Sequence, residues 1–387
     1  MHRRHFLSAF AGAVVGTPQA VLGSGPQLTA AGQGDVKTPT FYRYDIGTAS
    51  DRLHEPSADN DGNLWTSPLD GTLWRYHTPT GRLEILDLQR ITGRPWKGLH
   101  LWPVAHGPEV YLCCPSLPQL WVYQPKTQEV KKYALPHAEP QVYGGFSVPP
   151  EIYFYDIGQP ALIAWDSQTH TGKHYPCPYR LSGTLYMTFA DPQRREIWGS
   201  TYMGNDLVRF DLQTRKWTGH WKCPGNKVTP TPANAFFGDI LYVSDHLNGR
   251  LIPFDVKSAT WGEAIPIPGY RQWFGYVSGG WVFRGRIYFC HSTWTGGHHS
   301  LDGRPHRFLG SWTVFDPQTR KFSRLDIPAR NNEDFMSDYA LIVREHLYLL
   351  AVNRNPPHNA VILQTRLIPK PEPDGIHPPD PCRRRVN

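Results

Sequence analysis

The chain has 387 residues, with 35 Gly, 37 Pro, 13% aromatic residues and only 19% charged ones. That density of Gly and Pro excludes a helical bundle or coiled coil, and the aromatic content excludes a chain disordered throughout. The formal charge of +7 is spread over turns and strand ends apart from the run Arg383-Arg384-Arg385, so a mildly basic solvated surface is expected and no nucleic-acid partner.

The first element reads as a leader. Arg3-Arg4 is followed by Phe6-Leu7 and a short, weakly apolar segment to Val15, the pattern of a twin-arginine-type export signal. Residues 1–38 therefore read as signal and linker, with cleavage after Ala20 or Ala31, and the expected location is periplasmic or secreted. The apolar run is too short to cross a bilayer, and no membrane span is expected.

Next comes Phe41-Tyr-Arg-Tyr-Asp-Ile46, a strand with no unit of its own. From Arg52 onward the chain repeats. Asp61-Gly62-Asn63-Leu64-Trp65 and Gly71-Thr72-Leu73-Trp74-Arg75-Tyr76 are two strands entered by Asp-Gly turns, and Thr78-Pro79-Thr80-Gly81 turns into a third. The second half recurs around Tyr123, Trp165, Phe210, Phe254 and Phe315. Counted from Tyr76, the steps are 47, 42, 45, 44 and 61 residues. An apolar residue or Cys followed by Pro closes most units: Leu135-Pro136, Cys177-Pro178, Cys223-Pro224, Ile267-Pro268, Ile327-Pro328 and Ile368-Pro369. A period near 45 with several strands per unit predicts an all-β, seven-bladed β-propeller over residues 39–370. The last unit has only three good strands, so Phe41–Ile46 is expected to supply its fourth and close the ring, which removes exposed sheet edges. Residues 371–387 form a Pro/Arg-rich tail. Helix should be scarce.

Six cysteines show no Cys-x-x-Cys motif. Cys177 and Cys223 occupy the same position in neighbouring units, but such points splay apart, so thiols are expected rather than a bridge. A haem attachment signal is missing as well, which argues against a redox propeller.

In a propeller, loops entering strand A and loops from strand B to strand C share one face, and function concentrates there. Aligned on the strand B aromatics, His54 lies eleven residues before Trp65 and His100 eleven before Tyr111. Near that register the later units offer Tyr143, Tyr186, Thr231, Tyr276 and Ser337, a polar ring able to move protons. The long step of 61 is a B to C insert, His291 to Phe308. It holds His291, His298, His299 and His306 with Arg304, and His291, His298 and His299 are candidate metal ligands, against the plainer reading of a solvated His-rich loop.

The Asp61 to Gly81 phrase resembles the blade repeat of the virginiamycin B lyase and streptogramin-lyase-like propellers, most closely in blade one. The resemblance implies a histidine near the start of strand A that acts as the base in an elimination, with a divalent metal, Mg²⁺ or another, as cofactor. His54 and His100 match the histidine position. A Glu two residues before the family's histidine is replaced here by Arg52 and Gly98, so the metal half of that site and the antibiotic substrate do not carry over.

The expected function is thus a C–O lyase acting by β-elimination on a glycan or cyclic ester. His54 or His100 is the base, Tyr143 or Tyr186 the acid, and Arg271 or Arg304 the stabiliser of developing charge. Trp96, Tyr270, Trp273 and Tyr276 are the expected substrate-binding aromatics. The alternative is a non-catalytic binding propeller that recognises a glycan, a protein or a metal with the same face. A monomer is expected in either case.

Overall fold

The computed structural model describes residues 41–48, 53–137, 139–225, 228, 230–245, 248–267, 276–292, 311–326, 335–344, 346–353, 359–365 and 383–384. Over these residues the chain is a seven-bladed β-propeller. The one helix among them is Leu88–Thr92, capped by Asp87 and ended by Gly93 in the left-handed conformation.

Each blade is an antiparallel sheet whose strands A to D follow chain order. Blade one runs from His54–Ala58 through Asn63–Ser67 and Thr72–His77 to Arg82–Asp87. Blade two runs from Trp102–His106 to Glu129–Ala134, blade three from Val142–Val148 to Thr171–Pro176, and blade four from Thr184–Asp191 to Lys216–Lys222. Blade five starts at Pro230–Phe237, and its outer strand is split into Thr260–Trp261 and Ile265–Pro266. Blade six runs from Tyr276–Phe283 to Lys321–Asp326. Strand A of every blade packs against strand A of the next, and that of blade seven, Phe335–Val343, against that of blade one, so these strands encircle the axis.

Blade seven closes the ring with both ends of the chain. Its own strands end at Asn359–Thr365, and Phe41–Thr48 pairs antiparallel with that strand from Phe41↔Thr365 to Thr48↔Asn359. Arg383–Arg384 of the tail then pairs with Arg43 and Tyr44 on the outer edge.

The repeated phrase makes the turns. In blades three to six an aspartate after the strand C aromatic folds back on its own turn: the Gln168 and Thr169 N–H groups donate to Asp166 at 2.8 and 3.1 Å, and Asp211, Asp255 and Asp316 hold the same position in the next three blades. The turn then needs one residue with positive φ. Blade one uses Gly81, whereas Gln128, His170, Arg215, Ala259 and Arg320 take that conformation, with φ of 52–59°, in the next five blades.

Large aromatics fill the space between blades. Trp65, Trp74, Trp102, Trp165, Trp198 and Trp281 are all below 2% exposed, and their area supplies much of the hydrophobic stabilisation. Near the axis the blades approach too closely for side chains on both sides. A Cβ on Gly144 of blade three would lie 2.3 Å from Cε3 of Trp102 in blade two, so glycine there is a packing requirement.

Crowding also bends the inner strands. Among the described residues, strand A is irregular in six blades, between His54 and Ser57, Val142 and Gly144, Met187 and Phe189, Pro232 and Phe236, Ser278 and Trp281, and Met336 and Tyr339. Blade two alone keeps a regular ladder. The equal count of eleven therefore does not make His54 and His100 equivalent. His54 is in the ladder opposite Ser67, whereas His100 lies two residues before strand A opens at Trp102, opposite Cys113.

Candidate active site

Three of the expected site residues meet on the face where strands A begin. His100 ends the loop that carries the helix into blade two, and its Nε2 lies 3.3 Å from the Tyr143 hydroxyl at the start of blade three. The two rings stack, with centroids 4.8 Å apart and planes inclined by 30°. Tyr186, at the start of blade four, lies 5.3 Å from Tyr143.

These three belong to a larger aromatic wall. Tyr155 touches Tyr143 and Tyr186 with centroids at 6.1 and 6.0 Å, Tyr202 touches Tyr186 at 5.8 Å, and Trp102 stands edge-on to Tyr143 and Tyr155. Burial grades across it. Tyr155 is fully buried, Tyr143 and Tyr186 are 3% and 5% exposed, and His100 and Tyr202 are half-buried. The Nδ1 of His100 is buried, and Nε2 lies against the Tyr143 hydroxyl. Rings held this tightly lose little freedom when a ligand arrives.

Buried carboxylates hold the loops that lead into this wall. Asp156, at the end of strand B in blade three, accepts from the Gln141 N–H at 3.1 Å and has His137 Nε2 2.8 Å away. Asp206, at the start of strand C in blade four, accepts from the Ser182 N–H and His220 Nε2, both at 2.7 Å, and from Lys222 Nζ and Thr201 Oγ1. Burial alone would raise the Asp206 carboxyl, but the hydrogen bonds from His220, Lys222 and Ser182 outweigh it and hold the group well below the usual carboxylate range. In blade five Asp245 is paired with Arg250 and Asn248. There burial dominates and pushes the carboxyl up in spite of the arginine. The aspartates escaped sequence reading, although a signal was present: His137 and Tyr179 both follow the apolar-or-Cys-Pro signature, one residue after Pro136 and Pro178.

The remaining expected residues fall elsewhere. Trp96 is 2% exposed: its indole N–H donates to Thr92 at 2.7 Å and its ring stands edge-on to Trp121, so it packs blades one and two together and offers no stacking face to a sugar. His54, Tyr276 and His291 are placed only as strand positions, opposite Ser67, Ser292 and Val277, and their side chains lie outside the described residues. Tyr270, Arg271, Trp273, His298, His299 and Arg304 also lie outside them. Among the described residues no three His, Cys, Asp or Glu side chains converge in a geometry that would hold a metal. Cys113, Cys114, Cys177 and Cys223 are thiols, as expected. Burial pushes the Cys114 thiol up to about 11 and raises Cys177 as well, so neither is a ready nucleophile.

No family model matches the chain, and a search of curated proteins gave no match. Solved structures do match. Virginiamycin B lyase from Staphylococcus aureus superimposes with a TM-score of 0.62 over 84% of this chain and 100% of that one, at 12% identity. A streptogramin B lyase gives 0.61 over 84% and 98%, at 11% identity. A chain of a mitotic checkpoint complex gives 0.58 over 89% and 98%, at 9% identity. Likeness at this level establishes the propeller architecture, and the third match shows that the architecture serves unrelated functions.

Proposed function

We propose that this propeller is an exported lyase that breaks a C–O bond by β-elimination, with His100 and Tyr143 as its proton-transfer pair. One observation carries the reading: a half-buried histidine on the loop-bearing face has its Nε2 against a tyrosine hydroxyl, and the ring of a second tyrosine, Tyr186, packs on that tyrosine's ring. The lyase folds among the structural neighbours support it.

Elimination from a substrate acidified by a carbonyl or carboxylate needs a base for the carbon-bound proton and an acid for the leaving oxygen. Neutral His100 takes the proton on Nε2. Tyr143 gives its hydroxyl proton to the leaving oxygen, and the imidazolium beside it passes the proton taken from carbon to the phenolate. The pair ends as it began, and the product gains a C=C bond. No step is routed through a metal. His291, His298 and His299 of the blade-six insert are the proposed ligands for a divalent cation, and Arg271 or Arg304 the proposed stabiliser of charge. Export follows the twin-arginine-type leader. Substrates with a proton alpha to a carboxylate or ester, uronate glycans and cyclic esters, are the proposed class.

The test is absorbance of the new C=C bond when the purified protein meets uronate glycans and cyclic depsipeptides. His100→Ala should lower turnover by about 10²–10⁴, the usual worth of a general base, and Tyr143→Phe by a similar factor, with folding unchanged. Turnover that survives both substitutions sinks the assignment. Retention of a glycan without any absorbance change moves the protein to the alternative, a binding propeller.

A further inference from the structure

We infer that Asp156 and Asp206 are positioning residues, each of which fixes one tyrosine of the site by clamping the loop that leads into its strand. The inference rests on the aromatic wall being the working surface proposed above.

The two clamps are versions of one device. In blade three the loop residue His137 lies ring against ring with His174 of strand D, centroids 4.3 Å apart; in blade four Tyr179 stacks on His220 of strand D at 4.8 Å. His137 and Tyr179 both follow the blade-closing proline. His174 and His220 both lie opposite the residue two before the strand C aromatic, Ile163 before Trp165 and Val208 before Phe210. Each ring pair sits on a carboxylate whose side chain is 0% exposed. Each carboxylate also takes one backbone N–H of the incoming loop, Gln141 in one case and Ser182 in the other.

The loop is held from the other side as well. Ile157 N–H donates to the Gln141 carbonyl at 3.1 Å, and Asn205 N–H donates to Ser182 Oγ at 3.0 Å. Two residues after Gln141 comes Tyr143; four after Ser182 comes Tyr186. A buried carboxylate that receives several charge-assisted bonds is a stiff anchor, because any departure leaves charge without solvation. In blade five Asp245 is paired with Arg250 and Asn248 of its own blade, and the residue after the closing proline is Gly225, which has no ring to stack. The described residues thus show the clamp in the two blades that supply Tyr143 and Tyr186.

Nitration of tyrosine rings by tetranitromethane, read residue by residue by mass spectrometry on the intact folded chain, tests this without any substrate. In Asp206→Ala the rate at Tyr186 should rise about tenfold or more while Tyr143 stays near its wild-type rate, and Asp156→Ala should do the reverse, since a released loop opens locally. Asp206→Asn keeps the shape and an acceptor for Ser182, and should give a smaller rise confined to Tyr186; it serves as the test if the alanine variant does not fold. Unchanged rates, or a uniform rise that includes the buried Tyr111 of blade two, would overturn the inference. Turnover measured on the same samples separates the two claims. A wild-type protein that eliminates nothing sinks the lyase reading and leaves the nitration result standing.

Discussion

Gly144→Ala is the most demanding single test of how the blades are assembled around the site. The added Cβ would lie 2.3, 2.5 and 2.7 Å from Cε3, Cδ2 and Cζ3 of Trp102, whereas carbon atoms rest at about 3.5–4.0 Å, so something must move by about 1 Å. Trp102 has nowhere to go: it is 1% exposed and stands edge-on to Tyr143 and Tyr155 at 6.0 and 5.8 Å. Overpacking of this kind costs about 1–3 kcal/mol, and so tight a contact belongs near the top of that range. Restricting the unfolded chain returns about 0.4–1 kcal/mol, which leaves a net loss of about 2 kcal/mol. Urea unfolding followed by tryptophan fluorescence should show a lower midpoint at unchanged slope. The partner is identified by a double-mutant cycle: on a Trp102→Leu background the added methyl should cost far less. A loss below about 0.5 kcal/mol in the wild-type background, or an equal loss in both backgrounds, would refute the contact as the reason for glycine.

Three further outcomes follow from the same geometry. Stability should fall in two steps as the solution is acidified. Burial lowers His106, and burial together with His137 lowers His174, so below their ordinary value near 6.5 the unfolded chain takes up protons that the folded chain refuses. Asp206, held low in the fold, adds stability that is present above the ordinary carboxylate value of about 4 and is lost as pH falls below it. Asp206→Asn should shrink the second step of a melting-temperature profile, to which Asp166, Asp211 and Asp255 also contribute, and leave the first. Ala259→Gly should stabilise by about 0.5 kcal/mol, because the exposed alanine sits at φ 56°, a conformation that costs a non-glycine residue about 1–2 kcal/mol, partly offset by glycine's greater chain entropy; equilibrium unfolding that shows a loss instead would contradict this. Deletion of residues 41–48 removes seven register pairs from Asn359–Thr365, and should lower the melting temperature and produce concentration-dependent association through the opened edge, read by light scattering.

The blades were legible in the sequence because their turns are local chemistry. An aspartate that binds N–H groups two and three residues on, as Asp166 does, needs nothing from the rest of the chain, so the same phrase can be counted from blade to blade. Ring closure by Phe41–Thr48 was legible for a related reason, since one strand was left over and one blade was short. Where neighbours decide, counting failed. The inner strands bulge because blades crowd at the axis, and in blade one an extra residue in strand A and another in its turn part His54 from His100. Trp96 reads as an aromatic on the loop face, but Trp121 from the next blade covers it. The clamps show the same limit from the other direction. Asp156 comes from strand B and Asp206 from strand C, so no alignment of repeats pairs them, yet both end on the loop that enters strand A, each beneath a pair of rings. What the two blades share is a requirement to hold a loop still. Different residues meet it, and that is why the requirement is visible in the coordinates and hidden in the sequence.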